Sequence, residues 1–219
     1  MTATTFRWDA CARLFLFLSV LVLLATYPLA LVLPGWWGHE NQPVENAQVA
    51  LLAVGMVTAL AYFRSGNDPA RWLGLAAAPI WLVLIGRELS WGAVLLDPTG
   101  MTDHGPLFSS RFLWYKPAVA PVVAALILSC IAIIVVKRLA PLAVDLVRRR
   151  RLPLASLIVV TVGMLASAGA EGHLGFEVTI GGGIALLIEE ISELAAYLAL
   201  VASQFFVFAN LGRQETGGG

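Results

Sequence analysis

Glu189, Glu190 and Glu193 sit inside one long apolar stretch, Gly183 to Ala209. A carboxylate in hydrocarbon costs kcal/mol on any scale, so an acid placed there needs a partner, a water-filled cavity or a proton. On a helix, residues three and four apart share a face. Glu189, Glu193, Tyr197, Leu200 and Gln204 therefore form one line, with Ser192 beside it. A polar stripe on an apolar helix is expected to face the bundle interior or an aqueous cavity. At a rise of about 1.5 Å per residue, Glu189 lies about 9 Å and Glu193 about 15 Å below the outer start of the helix. Two acids a turn apart repel, so one of the two is expected to hold a proton near neutrality. Glu190 points elsewhere, toward a neighbouring helix or subunit.

A second polar island is Gly86-Arg87-Glu88-Leu89-Ser90-Trp91-Gly92. Arg87 is the natural counter-ion for a glutamate on the last apolar stretch. Its alternative is to snorkel to the outer interface. Arg87 and Glu88 are adjacent and point about 100° apart, so they are not expected to face one partner. Glu88 is then free to join the site, or pairs with Arg111 or Lys116. Glu45 follows Pro43 and suits a helix N-terminus; with Asn46 and Gln48 it could instead form the rim of the site.

A metal-binding alternative rests on the histidines. His39, His104 and His173, with Glu171, offer nitrogen and oxygen ligands for zinc or another divalent ion. Their spacing matches no established zinc pattern such as H-E-x-x-H.

The elements that must hold these residues follow from composition. The 219 residues are 59% hydrophobic and 13% charged, with a mean hydropathy of +0.82. Soluble domains are about 45–50% apolar and about 25% charged. An all-α polytopic membrane protein is expected, a single transmembrane domain over residues 1–219. Six segments are apolar and long enough to span: Cys11–Leu33, Pro43–Phe63, Trp72–Leu96, Pro117–Val136, Leu152–Ala170 and Gly183–Ala209. Pro34-Gly35, Gly66-Asn67-Asp68-Pro69 and Asp97-Pro98-Thr99-Gly100 break the chain between them, and Pro79 is expected to kink the third. The first span is longer than a signal peptide's apolar core and reads as an uncleaved anchor. Cys11 and Cys130 lack metal-ligand spacing and read as small core residues.

Eleven of the fourteen Lys and Arg fall on one side of this six-span layout: Arg7, Arg13, Arg64, Arg71, Lys137, Arg138, Arg148 to Arg151 and Arg213. Basic residues stay inside, so both termini are expected in the cytoplasm and the chain in an inner membrane. Asp9, Asp68, Asp145 and Glu215 share that side, while the other acids lie outside or in the outer part of the spans. Trp36, Trp37, Trp114 and Tyr115 read as outer interfacial anchors, Trp8 and Trp72 as inner ones. The run Arg148–Arg151 should touch anionic lipid. Zero net charge gives no reason to expect a nucleic-acid partner.

Three functions fit. The first is proton- or cation-linked transport or permeation through an acidic site open to the outer half of the bilayer. Here Glu88, Glu189 and Glu193 bind the ion, Arg87 tunes them, and Tyr197 and Gln204 continue the path inward. The second is a membrane-embedded enzyme at the outer leaflet, a metal-dependent hydrolase or transferase among the options, with two carboxylates dividing acid and base roles. The third is a non-catalytic subunit of a membrane complex, using Glu190 and the loop Asp97–Lys116 toward a partner or a second copy of the chain.

Overall fold

The computed structural model describes residues 7–102, 105–173 and 182–216, with the side chains of 182 and 212–216 excepted. Seven α-helices are present among them: α1 (Trp8–Val32), α2 (Pro43–Ser65), α3 (Arg71–Glu88), α4 (Lys116–Val136), α5 (Ala140–Arg148), α6 (Leu154–Ala170) and α7 (Gly182–Thr216). Between α3 and α4 lies a short antiparallel hairpin, β1 (Gly100–Thr102) with β2 (Gly105–Leu107). Helices dominate because apolar runs of this length can satisfy their backbone groups internally, which a membrane requires. By length and composition, four stretches can cross a membrane: Trp8–Val32, Gly35–Ser65, Lys116–Val136 and Gly183–Leu211. Helix α6 is apolar but shorter, and α3 carries Arg71, Arg87 and Glu88 within 18 residues.

Packing fixes the directions of the helices. Ala30 at the end of α1 shares a cluster with Leu187 at the start of α7 and Val44 at the start of α2. At the other end Trp8 meets Tyr62, Phe205 and Phe208, and the Tyr62 and Phe208 rings stack 3.9 Å apart. Thus α1 runs against α7, and α2 runs with it. Lys137 of α4 lies 3.7 Å above the Trp72 ring of α3, so the end of α4 meets the start of α3. The central helix is α7: 67% of its apolar stretch is buried in the protein, against 17% for α1 and none for α4. Helix α4 packs on α3 and faces outward elsewhere.

Three expectations about elements need correction. The third segment is not helical to Leu96. It stops at Glu88, after which Ser90, Trp91 and Gly92 all take positive φ, 45°, 56° and 95°, and a 3-10 turn carries the chain to Leu95. An apolar composition alone does not reveal this, because Leu89, Ala93, Val94 and Leu95 extend the hydropathy of the helix past its end. Pro79 lies inside α3, which runs through it as one element. The amphipathic helix α5 was hidden between the basic clusters. Its Leu142 and Leu146 pack against Tyr62, Phe208 and Leu211 beneath the bundle. Trp8, expected as a lipid anchor, is instead part of that aromatic packing, whereas Trp114 is 90% exposed, as an anchor would be.

Candidate functional site

The site forms where α3 ends beside α7. Arg87 Nη2 donates to Glu193 Oε1 at 2.9 Å, and Arg87 Nε lies 3.8 Å from Glu88 Oε1. The Tyr197 hydroxyl donates to Glu88 Oε1 at 2.6 Å, and Arg87 Nη1 approaches the same hydroxyl at 3.4 Å. Ser167 Oγ on α6 donates to Glu193 Oε1 at 3.3 Å. Two carboxylates, one guanidinium, one phenol and one hydroxyl from three helices thus form one network. The side chains of Glu88 and Glu193 are 7% and 9% exposed, that of Arg87 53%. The acids are buried and their counter-ion stays half open.

The chain turn after α3 builds this arrangement. The Trp91 ring folds back onto Gly86, where a Cβ would come within 2.7 Å of it. The Trp91 carbonyl accepts the Tyr115 hydroxyl at 2.7 Å. At Gly92 a Cβ would lie 2.8 Å from that Tyr115 oxygen, and φ is +95°, so glycine is needed both for space and for the left-handed backbone. Glu88 is thereby the last residue of α3, buried where the chain turns away.

Of the glutamates on α7, Arg87 pairs with Glu193 rather than Glu189. Helix side chains tilt toward the N-terminus of their helix. Arg87 therefore reaches back along α3 while Glu193, on a helix running the other way, reaches up to meet it. The same tilt carries Glu189 beyond the end of α3. Nor do Arg87 and Glu88 face different partners: both converge on Tyr197, because the long Arg87 side chain spans the 100° between them. Glu88 pairs with neither Arg111 nor Lys116; Lys116 Nζ donates to Ser110 Oγ at 2.7 Å.

The remaining acids ring the network. Glu190 feels the charges of Glu193, Glu189, Glu45 and Glu88, and Glu45 those of Glu88, Glu40 and Glu193. Glu189 is half-buried one turn before Glu193 on α7. Glu45 accepts from the Asn41 backbone N–H just before its helix, while Asn41 Nδ2 donates to Val94 O at 3.2 Å and ties the loops after α1 and α3 together. Asn46 is exposed. Gln48 is fully buried against Glu190.

Gln204 belongs to a separate knot deeper in the bundle. It accepts from Trp81 Nε1 at 2.7 Å and donates to Gly55 O and Thr58 Oγ1, each at 2.9 Å. Leu51, Leu52, Val201 and Phe205 pack in one cluster with Trp81 and Tyr197. Along α7, apolar Val201 separates Tyr197 from Gln204 on the line expected to carry a polar path.

Among the described residues His39 and His173 sit in separate settings. His39 lies against Gly105 of the hairpin, His173 pairs with Glu171 at 2.8 Å, and His104 lies outside the described residues. Among those described, no three His, Cys, Asp or Glu residues group as metal ligands. Sequence reasoning missed Trp81, Gly55 and the role of Ser167. Ser167 lies one turn from Gly163, where a Cβ would come 2.8 Å from Ser192 O, so α6 and α7 pack closely there. No family model, curated protein or solved structure matches the chain.

Proposed function

We propose that the chain is an inner-membrane protein of six spans, both termini cytoplasmic, whose Arg87–Glu88–Glu193–Tyr197 network takes up a proton or small cation from the outer side in the course of transport. The observation that carries this is a charge imbalance. Arg87 pairs with both Glu88 and Glu193, and three more glutamates, Glu45, Glu189 and Glu190, lie on the helices α2 and α7 that pack around it. In a low-dielectric setting that excess is met by protons or a bound cation. The half-open Arg87 leaves the network reachable. The topology is supported by the alternating helix directions, which bring the basic residues to the end that holds Trp8, Trp72 and α5. Helix α3, at 18 residues, measures about 27 Å, close to the roughly 30 Å hydrocarbon core, and its polar end accounts for the short length.

Transport from this conformation requires the Trp81–Gln204 knot and the Trp8, Tyr62, Phe205 and Phe208 packing to open in another state. The test is proton and monovalent- and divalent-cation flux into proteoliposomes. Flux in the wild type that Glu193→Gln abolishes supports the proposal. An absence of flux for every ion tested refutes it.

The same sealed inner half favours a second reading, a membrane-embedded enzyme on the outer leaflet with Glu88 and Glu193 as the acid and base pair. Turnover of a lipid-linked substrate without ion flux would select it. A divalent metal on His39, His104, His173 or Glu171 would belong to that reading, and metal analysis of the purified protein tests it.

A further inference from the structure

Gln48 and Glu190 form a second polar contact, between α2 and α7, that the Arg87 network does not use. Gln48 Nε2 donates to the Glu190 backbone carbonyl and to Glu190 Oε2, each at 2.9 Å. A backbone carbonyl only accepts, so the amide orientation is fixed: Nε2 faces it, and Oε1 is the remaining end. That Gln48 Oε1 is buried and has no hydrogen-bond partner among the described residues. The whole residue is fully buried. An unmet acceptor in such a place costs about 1–3 kcal/mol, and buried polar atoms are paired in the great majority of proteins. The other unpaired atom, Ser192 Oγ, is two residues further on and about 200° around the helix, so it is not the missing partner.

We propose that Glu190 is a proton-binding site, held as a neutral carboxylic acid whose hydroxyl donates to Gln48 Oε1. A carboxylic acid and a primary amide are complementary: the amide N–H donates to the acid carbonyl, and the acid O–H donates to the amide oxygen. Half of this pair is present in the contact from Gln48 Nε2 to Glu190 Oε2. A proton on the other carboxyl oxygen, turned to Gln48 Oε1, would supply the second half and satisfy the orphaned acceptor. The charges around the site agree. Glu189 and Glu193 on α7, Glu45 on α2 and Glu88 on α3 all act on Glu190. Glu171 on the α6 side acts on Glu189, and α1, which has no charged residue between Arg13 and its end at Val32, contributes Val22, Leu29, Ala30 and the adjoining Leu33 to the apolar cluster there. Arg87 is engaged with Glu193 and Glu88. No cation faces Glu190 from the described residues. The inference concerns the protonation state of one buried side chain and holds whether or not the protein transports ions.

Infrared difference spectroscopy of the full-length protein in lipid bilayers tests it. The wild type should show a carboxylic-acid carbonyl band near neutral pH that moves down in deuterium oxide. Glu190→Gln should remove that band and fold as well as the wild type, since an amide at 190 makes both hydrogen bonds that the acid makes. Gln48→Leu should move the band to higher frequency, because the acid loses its acceptor. Carboxylate bands in place of the acid band, removed by Glu190→Gln, would overturn the proposal and leave a buried water as the partner of Gln48. Failure of Glu190→Gln to fold would overturn it as well, since it would show that the charge is required.

Discussion

Arg87→Ala is the most informative single change in this protein. It removes the cation that Glu193 and Glu88 share, while Glu193 keeps Ser167 and Glu88 keeps Tyr197. Breaking a fully buried ion pair costs about 3–5 kcal/mol, and an exposed pair contributes about 0–1 kcal/mol. The Arg87 side chain is 53% exposed and its partners 7% and 9%, so the loss should fall between these bounds, about 2–3 kcal/mol. That agrees with one charged hydrogen bond at about 1.5–3 kcal/mol. Reversible unfolding in mixed micelles, followed by tryptophan fluorescence, measures it. Combining Arg87→Ala with Glu193→Gln should restore at least half of the loss, because the orphaned charge is gone. Combining it with Glu189→Gln should restore little, since Glu189 makes no direct pair with Arg87. Arg111→Ala, on the exposed 3-10 turn Ser110–Phe112, should cost under about 0.5 kcal/mol. Equal costs for Arg87→Ala and Arg111→Ala would refute the reasoning, as would better rescue by Glu189→Gln than by Glu193→Gln.

Tyr197→Phe deletes the 2.6 Å hydrogen bond to Glu88 with the ring in place, and should cost about 1.5–3 kcal/mol in the same unfolding assay; wild-type stability would show that Glu88 has another donor. Gly55→Ala places a Cβ 2.7 Å from the Trp81 ring and should cost about 1–3 kcal/mol by overpacking. It should also shift the emission of Trp81 as the Gln204 bond lengthens, and an unchanged spectrum and midpoint would refute the contact. Reporter fusions at Asn67 and Arg149 should give cytoplasmic signals and a fusion at Asp103 a periplasmic one; reversed signals would invert the topology.

The spacing of Glu193, Tyr197 and Gln204 was enough to place them on one face of α7, because helix period is a local property. It could not separate them into two sites. Gln204 partners Trp81 and Thr58 from other helices, and nothing in its own segment marks where the apolar packing of Leu52, Val201 and Phe205 intervenes. The choice of Arg87 as the counter-ion was legible from its rarity inside an apolar stretch. Its choice of Glu193 over Glu189 was not, because depth arithmetic counts Cα positions and ignores the opposed tilt of side chains on antiparallel helices. The end of α3 was illegible for a different reason. Ser90 and Trp91 both take the left-handed conformation, which costs about 1–2 kcal/mol per residue and is not predicted from side-chain type. It is held by the Trp91 ring on Gly86 and by Tyr115 on the Trp91 carbonyl, contacts that exist only once the outer loop has folded.

The position of α7 connects these details. It is at once the most buried helix and the one richest in buried polar groups: Ser192, Glu193, Ser203, Gln204 and Asn210 are all at most 9% exposed. On a lipid-facing helix each would meet hydrocarbon without a partner. At the centre Glu193 and Gln204 meet α3, α6 and α2, and Ser203 and Asn210 bond their own backbone, so for these four burial of α7 and pairing are one requirement. The outermost helix, α4, illustrates the converse. It has the highest hydropathy of the four long stretches, none of it is buried, and its only polar side chain in the span, Ser129, bonds back to Leu126 O at 2.7 Å. A polar substitution on the outward face of α4, such as Leu128→Glu, has no partner to find, whereas Val201→Glu on α7 would fall between the two hydrogen-bonded groups and bring a charge within reach of both. The first should block membrane insertion of α4 and leave the other helices assembled; the second should insert and disrupt the packing around Phe205. Limited proteolysis of the two variants in membranes distinguishes these outcomes, and an intact α4 in Leu128→Glu would show that this face is covered by a partner rather than by lipid.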